Sequence, residues 1–99
     1  MITMERKTYI QTKILEEAGR ATKEFGEFAS LHEAYAVLWE EVHELFDQVR
    51  KRQFPADDEK LVMGSFEFYR SSTQIKDEAI QIAAVAYRIA LDADRLARK

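Results

Sequence analysis

The sequence predicts an all-α fold, and three features of the chain support this prediction. Apolar residues recur every three or four positions over long stretches, which is the period of an amphipathic helix. Glycine and proline are scarce, with 3 Gly and 1 Pro in 99 residues, so few positions interrupt a helix. Charged residues make up 33% of the chain and hydrophobic residues 46%, a composition typical of a folded domain. The length predicts a single domain over residues 1–99.

The first helix is predicted over residues 5–25. Its apolar positions keep the helical spacing along the whole segment: Ile10, Ile14, Ala18, Ala21 and Phe25. Gly26 is well placed to end this helix, because glycine readily adopts the left-handed conformation found just after helix C-termini.

The second helix is predicted to begin at Ser30 and to end before Pro55. Ser30 and Glu33 have the spacing of a capping box, in which both side chains accept hydrogen bonds from backbone N–H groups. Apolar residues then alternate at spacings of four and three, the a/d pattern of a helix that packs on other helices: Leu31, Tyr35, Leu38, Val42, Leu45 and Val49. A chain this short buries only a modest core, so partner subunits are expected to cover part of such a seam.

The third long helix is predicted to be central in the bundle. Its N-terminal cap is placed at Ser71, Ser72 or Thr73, and it runs to about Leu96. The segment AAVAYRIALDA, residues 83–93, is apolar almost all round and therefore needs neighbours on several sides. Its alanines allow other helices to approach closely.

The segment between the second and third helices is the least regular part of the pattern. Residues 57–63 are a candidate short helix, followed by a loop that contains Phe66, Phe68 and Tyr69. Residues 53–72 are either a plain connection or a lid over a substrate. The predicted fold is thus a helical bundle of three long helices plus a candidate short one, completed by oligomerisation.

The composition excludes several classes of function. A net charge of −3 spread over both signs argues against a nucleic-acid-binding domain. The absence of cysteine excludes disulfides and thiolate metal sites. The chain contains no glycine-rich phosphate loop, no apolar signal segment and no membrane-length apolar run, so a cytoplasmic protein without membrane contact is expected.

Carboxylates crowd into two turns of the second helix, in the stretch LWEEVHELFDQVR. Glu41 lies at the margin of the apolar stripe, about 40–60° from Leu38 and Leu45, with Glu44 about 60° to its other side. Glu40 and Asp47 point further out, where a solvated face is the ordinary interpretation. Like charges at this spacing repel, so Glu41 and Glu44 are candidates for holding a cation.

Glu78 lies inside the apolar stripe of the third helix, within about 40° of Val85. A carboxylate in such a position is costly unless it is paired or bound to a metal. A basic residue from elsewhere in the fold and a metal ion both remain open as its partner. If the second and third helices pack antiparallel, Glu41, Glu44, Glu78 and Gln81 converge, and this all-oxygen set suits Mg²⁺ or Mn²⁺.

EEVHE, residues 40–44, and KDEAIQIAAVAYRIALD, residues 76–92, together resemble the MazG-like all-α nucleoside triphosphate pyrophosphohydrolases. The family signature is two glutamates, two residues and a further glutamate, followed on another helix by Glu-x-x-Asp. The resemblance extends from residues 32–49 through residues 77–92. In these segments the chain is similar to the short stand-alone members of the family. It covers roughly two thirds of the chain.

The resemblance implies a hydrolase that cleaves nucleoside or deoxynucleoside triphosphates to the monophosphate and pyrophosphate in nucleotide pool housecleaning. It implies Mg²⁺ or Mn²⁺ as cofactor and a homodimer or homotetramer. Glu41, Glu44 and Glu78 correspond to metal ligands, and Glu40 to a residue that binds an additional metal or positions the attacking water. Gln81 stands where the family has Asp, so its carbonyl can still coordinate but one negative charge is lost.

Basic residues that could bind substrate phosphates are Lys51, Arg70, Lys76 and Arg88. Lys76 and Arg88 flank the predicted metal face, although Arg88 has the alternative of pairing with Asp92 at i, i+4. A different class of function also remains open, namely a catalytically degenerate member or an unrelated helical oligomerisation module that uses the apolar seam of the second helix. The enzyme and the module predict different partners for Glu78. In the enzyme Glu78 binds a metal ion, and in the module it pairs with a basic residue.

Overall fold

The computed structural model describes residues 1–53 and 66–98, which form four α-helices. Their bounds are α1 Met4–Phe25, α2 Leu31–Gln53, α3 Phe66–Leu91 and α4 Ala93–Ala97. This part of the chain contains no strand, so the all-α prediction is confirmed. The candidate short helix at 57–63 lies outside the described residues. None of the four helices combines the length and the hydropathy that crossing a membrane requires.

The ends of α1 are set by local hydrogen bonds. At its start the Thr3 hydroxyl accepts a hydrogen bond from the backbone N–H of Arg6 at 3.1 Å. At its end Gly26 has a φ of 78°, and its N–H donates to the carbonyl of Thr22 at 2.8 Å. The predicted glycine terminus is therefore confirmed.

The predicted Ser30 cap of α2 is confirmed, whereas the Glu33 carboxylate bonds one residue before the N-cap N–H that a capping box uses. The Ser30 hydroxyl accepts a hydrogen bond from the backbone N–H of Glu33 at 3.1 Å. The Glu33 carboxylate in turn accepts from the backbone N–H of Ala29 at 3.4 Å. These bonds satisfy N–H groups that have no partner within the helix itself.

The predicted start of α3 is wrong. The helix begins at Phe66, so the residues at 71–73 are interior positions, and the predicted loop at Phe66, Phe68 and Tyr69 is helical. Serine and threonine cost only a few tenths of a kcal/mol, roughly, inside a helix, so packing can override their capping preference. The hydroxyl of Ser72 accepts a hydrogen bond from Arg52 of α2 at 2.6 Å, which holds this stretch against its neighbour.

The predicted end of α3 is also corrected. The helix stops at Leu91, and the short helix α4 follows instead of an unbroken run to Leu96. At the break, the N–H of Asp92 is shared between the carbonyls of Arg88 and Ile89, at 3.3 and 3.2 Å. This bend turns α4 back towards the end of the bundle.

α3 lies between α1 and α2 and packs against both. It is antiparallel to α2, since Ser72 contacts Arg52 while Ile89 packs near Ala34. It is parallel to α1, since Lys76 lies near Tyr9 while Arg88 contacts Gly26. The prediction that the third helix is central is confirmed, and α1 and α2 flank it in opposite directions.

The hydrophobic core lies at the end of the bundle where α4 folds back. Leu96 is fully buried against Phe28, Ala34 and Val85. Arg95 donates a hydrogen bond to the carbonyl of Phe28 at 2.8 Å, which ties α4 to the turn between α1 and α2. The core is therefore small and is closed by the C-terminal segment.

Part of the apolar surface is left uncovered in the single chain. The predicted apolar seam of α2 is only partly covered. Leu38, Leu45 and Val49 are partly buried, and the other residues of the seam are exposed. The exposed residues extend along α2 at spacings of four, four, three and four, and we call them the α2 stripe: Leu31, Tyr35, Trp39, Val42 and Phe46. On α3, Tyr87 and Leu91 are also exposed, so this helix is covered on two sides and open elsewhere.

Candidate metal centre

Three carboxylates converge where α2 crosses α3. One oxygen from each of Glu41, Glu44 and Glu78 lies within 4.8 Å of the other two. The antiparallel packing of the two helices produces this approach. Glu41 and Glu78 are partly buried, whereas Glu44 is exposed at the opening of the cluster. We call these three residues the carboxylate cluster.

Glu78 contains a polar atom without a partner. Its Oε2 is buried and forms no hydrogen bond in the structure. Within residues 1–53 and 66–98, no lysine or arginine forms an ion pair with this carboxylate, and the charges that act on it come from Glu41 and Glu44. A buried carboxylate oxygen in this state is costly, so a proton or a cation is expected beside it.

Burial and mutual repulsion change the acidity of the cluster. Burial first, and then the negative charge of Glu44, raise the pKa of Glu78 to about 7. Burial and the charge of Glu44 also raise the pKa of Glu41 above its ordinary value. The cluster therefore tends to retain a proton near neutral pH, and a divalent cation could take the place of that proton.

Gln81 lies one turn beyond Glu78 and is joined to α1. Its side chain is hydrogen-bonded to Glu17, whose pKa is lowered mainly by a hydrogen bond from Arg20 and further by this one from Gln81. An ionised carboxylate only accepts hydrogen bonds, so the amide N–H of Gln81 must be the donor. Its carbonyl oxygen is then the atom left over for a cation.

The cluster opens into a groove of about 340 Å³ bounded by α1, α2 and α3. The carboxylate cluster and Gln81 line one part of it, and Arg20 and Arg88 contribute guanidinium groups. The volume is at the lower end of the range of small-molecule sites. Negative and positive side chains thus line the same groove, an arrangement that can receive a cation together with an anionic group.

Four other residues that were predicted for the site do not line the groove. Glu40 is exposed on α2, outside the described lining of the groove. Lys51, Arg70 and Lys76 are exposed and also lie outside it. The ammonium of Lys76 lies 5.9 Å from the centre of the Tyr9 ring.

Arg88 lines the groove but is also engaged in holding the fold. Its Nη2 donates a hydrogen bond to the carbonyl of Gly26 at 2.9 Å. Its guanidinium carbon lies 4.2 Å from the centre of the Phe28 ring, a cation–π contact, and burial lowers its pKa. Arg88 therefore fastens the turn between α1 and α2 to α3.

Sequence reasoning missed two residues of α1 that reach the groove, Glu17 and Arg20. Arg20 donates to Glu17 through Nε at 3.0 Å and also pairs with Glu24. A signal was present in the sequence, since Glu17 lies only about 20° from Ile10 around the helix, at the edge of the apolar stripe. This is the same kind of position that singled out Glu78.

Comparisons with models of protein families, with curated proteins and with solved structures find no match for this chain. The resemblance to the MazG-like pyrophosphohydrolases therefore depends on the residues of the chain alone, and the activity that it implies is a proposal.

Proposed function

We propose that this chain is a metal-dependent nucleoside or deoxynucleoside triphosphate pyrophosphohydrolase that acts in the cytoplasm in nucleotide pool housecleaning. The reaction adds water to a nucleoside triphosphate and yields the monophosphate and pyrophosphate. The observation that carries the proposal is the buried, unpartnered Oε2 of Glu78 within the carboxylate cluster. The resemblance of EEVHE and the third helix to that family supplies the reaction.

The donor atoms of the site suit Mg²⁺ or Mn²⁺. All of them are oxygens, from the carboxylates of Glu41, Glu44 and Glu78 and from the carbonyl of Gln81, and hard cations prefer such sets. A bound ion of this kind supplies charge neutralisation for a triphosphate and lowers the pKa of a coordinated water. Glu41, Glu44 and Glu78 would then repel one another less; burial, followed by this repulsion, raises the pKa of Glu78 in the metal-free chain.

The side chains of the groove would divide the remaining work. Glu41, Glu44 and Glu78 hold the cation, and Glu40 serves an additional metal or the attacking water, as the resemblance implies. Arg88 presents positive charge on the same groove. Because the scissile bond is a phosphoanhydride, positioning and charge stabilisation supply most of the rate enhancement, and no protein nucleophile is needed.

The experiment that tests this proposal combines metal binding with turnover. Titration calorimetry with Mn²⁺ and pyrophosphate release from a panel of ribo- and deoxyribonucleoside triphosphates are measured on the full chain. Both signals are expected in the wild type and neither in Glu41→Gln. Asp47→Asn is the matched control, because this α2 carboxylate pairs with Arg50 outside the cluster. Metal binding without turnover in the wild type would contradict the activity, and absence of both would contradict the site.

A second candidate function is favoured by the α2 stripe. Five large apolar side chains lie exposed in a row along one helix, which is typical of a surface that packs on another helix. A homodimer or homotetramer formed through this stripe agrees with the enzyme and equally with a non-catalytic oligomerisation module. Metal-dependent turnover distinguishes the two, because the module predicts oligomerisation without it.

A further inference from the structure

Arg20 is the most exposed cationic group on the groove that contains the carboxylate cluster. Within the described lining the groove has two guanidinium groups. That of Arg88 is engaged by the carbonyl of Gly26 and the ring of Phe28. The side chain of Arg20 is 52% exposed, so its guanidinium is accessible to a solute.

The contacts of Arg20 orient it without joining helices. Both of its carboxylate partners, Glu17 and Glu24, lie on α1 with it, three residues before and four residues after. The Glu17 side chain is only 17% exposed and that of Glu24 is 55% exposed, so the pair with Glu17 is the better shielded of the two. Both pairs lie within one helix, and together they fix the direction of the guanidinium.

The guanidinium retains hydrogen-bonding capacity. Of its five N–H groups, Nε and one on Nη2 donate to Glu17 and one on Nη1 donates to Glu24, which leaves two. The two remaining N–H groups, one on each Nη, are donors of the kind that bind the oxygens of a phosphate group.

The charge of the groove creates the need for such a residue. The carboxylate cluster repels a polyphosphate, and one divalent cation offsets only part of the combined negative charge of the ligands and the substrate. A positive group on the same groove offsets part of this charge, and the guanidinium of Arg20 is accessible there, although Glu17 and Glu24 share its charge. The predicted basic residues Lys51, Arg70 and Lys76 lie outside the described lining and do not meet this need.

We propose that Arg20 binds the phosphate groups of a nucleotide substrate, with Glu17 and Glu24 orienting its guanidinium. The inference rests on the proposed function, because it concerns the substrate of the same site. Gln81 extends this arrangement, since its hydrogen bond to Glu17 connects the phosphate-binding side of the groove to the carboxylate cluster.

The test uses Arg20→Gln and Arg20→Lys in the full chain, with Arg50→Gln as the matched control. Arg50 is also an exposed arginine paired within its own helix, with Asp47 at 3.7 Å, but it lies outside the groove. Four measurements are made: affinity for Mn²⁺ alone, affinity for inorganic triphosphate with Mn²⁺ present, the kcat and KM of pyrophosphate release, and the thermal midpoint of each protein.

We expect Arg20→Gln to weaken triphosphate binding and kcat/KM about tenfold or more, because charge-assisted hydrogen bonds are lost. Affinity for Mn²⁺ alone and the thermal midpoint should stay close to those of the wild type. Arg20→Lys should recover part of the loss, since lysine keeps the positive charge but lacks the planar guanidinium donors. Arg50→Gln should behave as the wild type.

The outcomes separate this inference from the proposed function. Unchanged triphosphate binding and turnover in Arg20→Gln, with Glu41→Gln inactive, would overturn the role of Arg20 and leave the enzyme in place. A wild type that binds neither Mn²⁺ nor triphosphate would overturn both. A marked fall in the thermal midpoint of Arg20→Gln that accompanies its weaker triphosphate binding would show a structural role for Arg20 instead.

Discussion

Glu41 of α2 and Glu78 of α3 bring carboxylate oxygens within 4.8 Å of each other across the contact between the two helices. Two ionised carboxylates at this distance repel, and burial adds to the cost of ionising them. Burial, followed by the charge of Glu44, raises the pKa of Glu78 to about 7, so the cluster holds a proton up to about neutral pH. The metal-free site thus keeps a proton that a cation would have to displace.

This proton makes the stability of the metal-free protein depend on pH. The pKa of Glu78 is raised from 4.5 to about 7 on folding, so the folded state binds more protons between those values. The free energy of unfolding should therefore fall by on the order of 2 kcal/mol as pH rises through this window. Above the window it should level off. Urea unfolding with a chelator at pH 5, 6, 7 and 8 measures the effect.

Glu78→Gln should flatten that profile and stabilise the metal-free protein at pH 8, because the buried carboxylate is replaced by a neutral group of the same shape. The same unfolding series measures this change, and Asp47→Asn serves as control. A Glu78→Gln protein less stable than the wild type at pH 8 would instead indicate a basic partner for Glu78.

Metal should stabilise the protein more at high pH than at low pH. Cation binding requires deprotonated ligands, so protons on the carboxylate cluster compete with Mn²⁺. The rise in thermal midpoint with saturating Mn²⁺ should be larger at pH 8 than at pH 5, and Glu41→Gln should reduce it strongly at both. An equal shift in the variant and the wild type would show that Mn²⁺ binds elsewhere.

Gln81→Asp should have opposite effects on metal binding and on metal-free stability. The change adds a negative charge beside the carboxylate cluster, so affinity for Mn²⁺ should rise. It also removes the hydrogen bond to Glu17 and sets two carboxylates side by side, which should destabilise the metal-free chain by about 1 kcal/mol. Calorimetry and urea unfolding measure the two effects, and the double change with Glu17→Gln should recover stability.

Leu96→Ala should destabilise the fold by about 2–4 kcal/mol, because a fully buried leucine is replaced and a cavity remains. Leu91→Ala is the matched control, since that side chain is 71% exposed and its loss should have little effect. Urea unfolding compares the two. Similar losses at both positions would mean that Leu91 is covered in solution by a second chain.

Phe46→Glu should dissociate a homo-oligomer formed through the α2 stripe. A charge within an apolar interface has no partner and is costly to bury. Light scattering coupled to size exclusion measures the mass of the wild type and the variant. A monomeric wild type, or an unchanged mass in Phe46→Glu, would exclude the stripe as the contact between copies.

The end of α1 and the start of α2 could be predicted because their signals act within a few residues. Gly26, Ser30 and Glu33 form hydrogen bonds to backbone groups nearby, and such bonds need no tertiary partner. The start of α3 could not be predicted in this way. Serine and threonine at 71–73 look like caps locally, but Arg52 binds Ser72 from the neighbouring helix and the segment stays helical.

The sequence by itself determined which face of each helix carries the carboxylate cluster. Helical periodicity places Glu78 among apolar residues and Glu41 at the edge of its stripe, and this follows from spacing alone. Only the tertiary structure decided which helices share the groove. α1 lies parallel to α3 and so brings Glu17 and Arg20 to Gln81. Periodicity defines the face that a helix buries, whereas the neighbour that covers this face depends on contacts between distant segments.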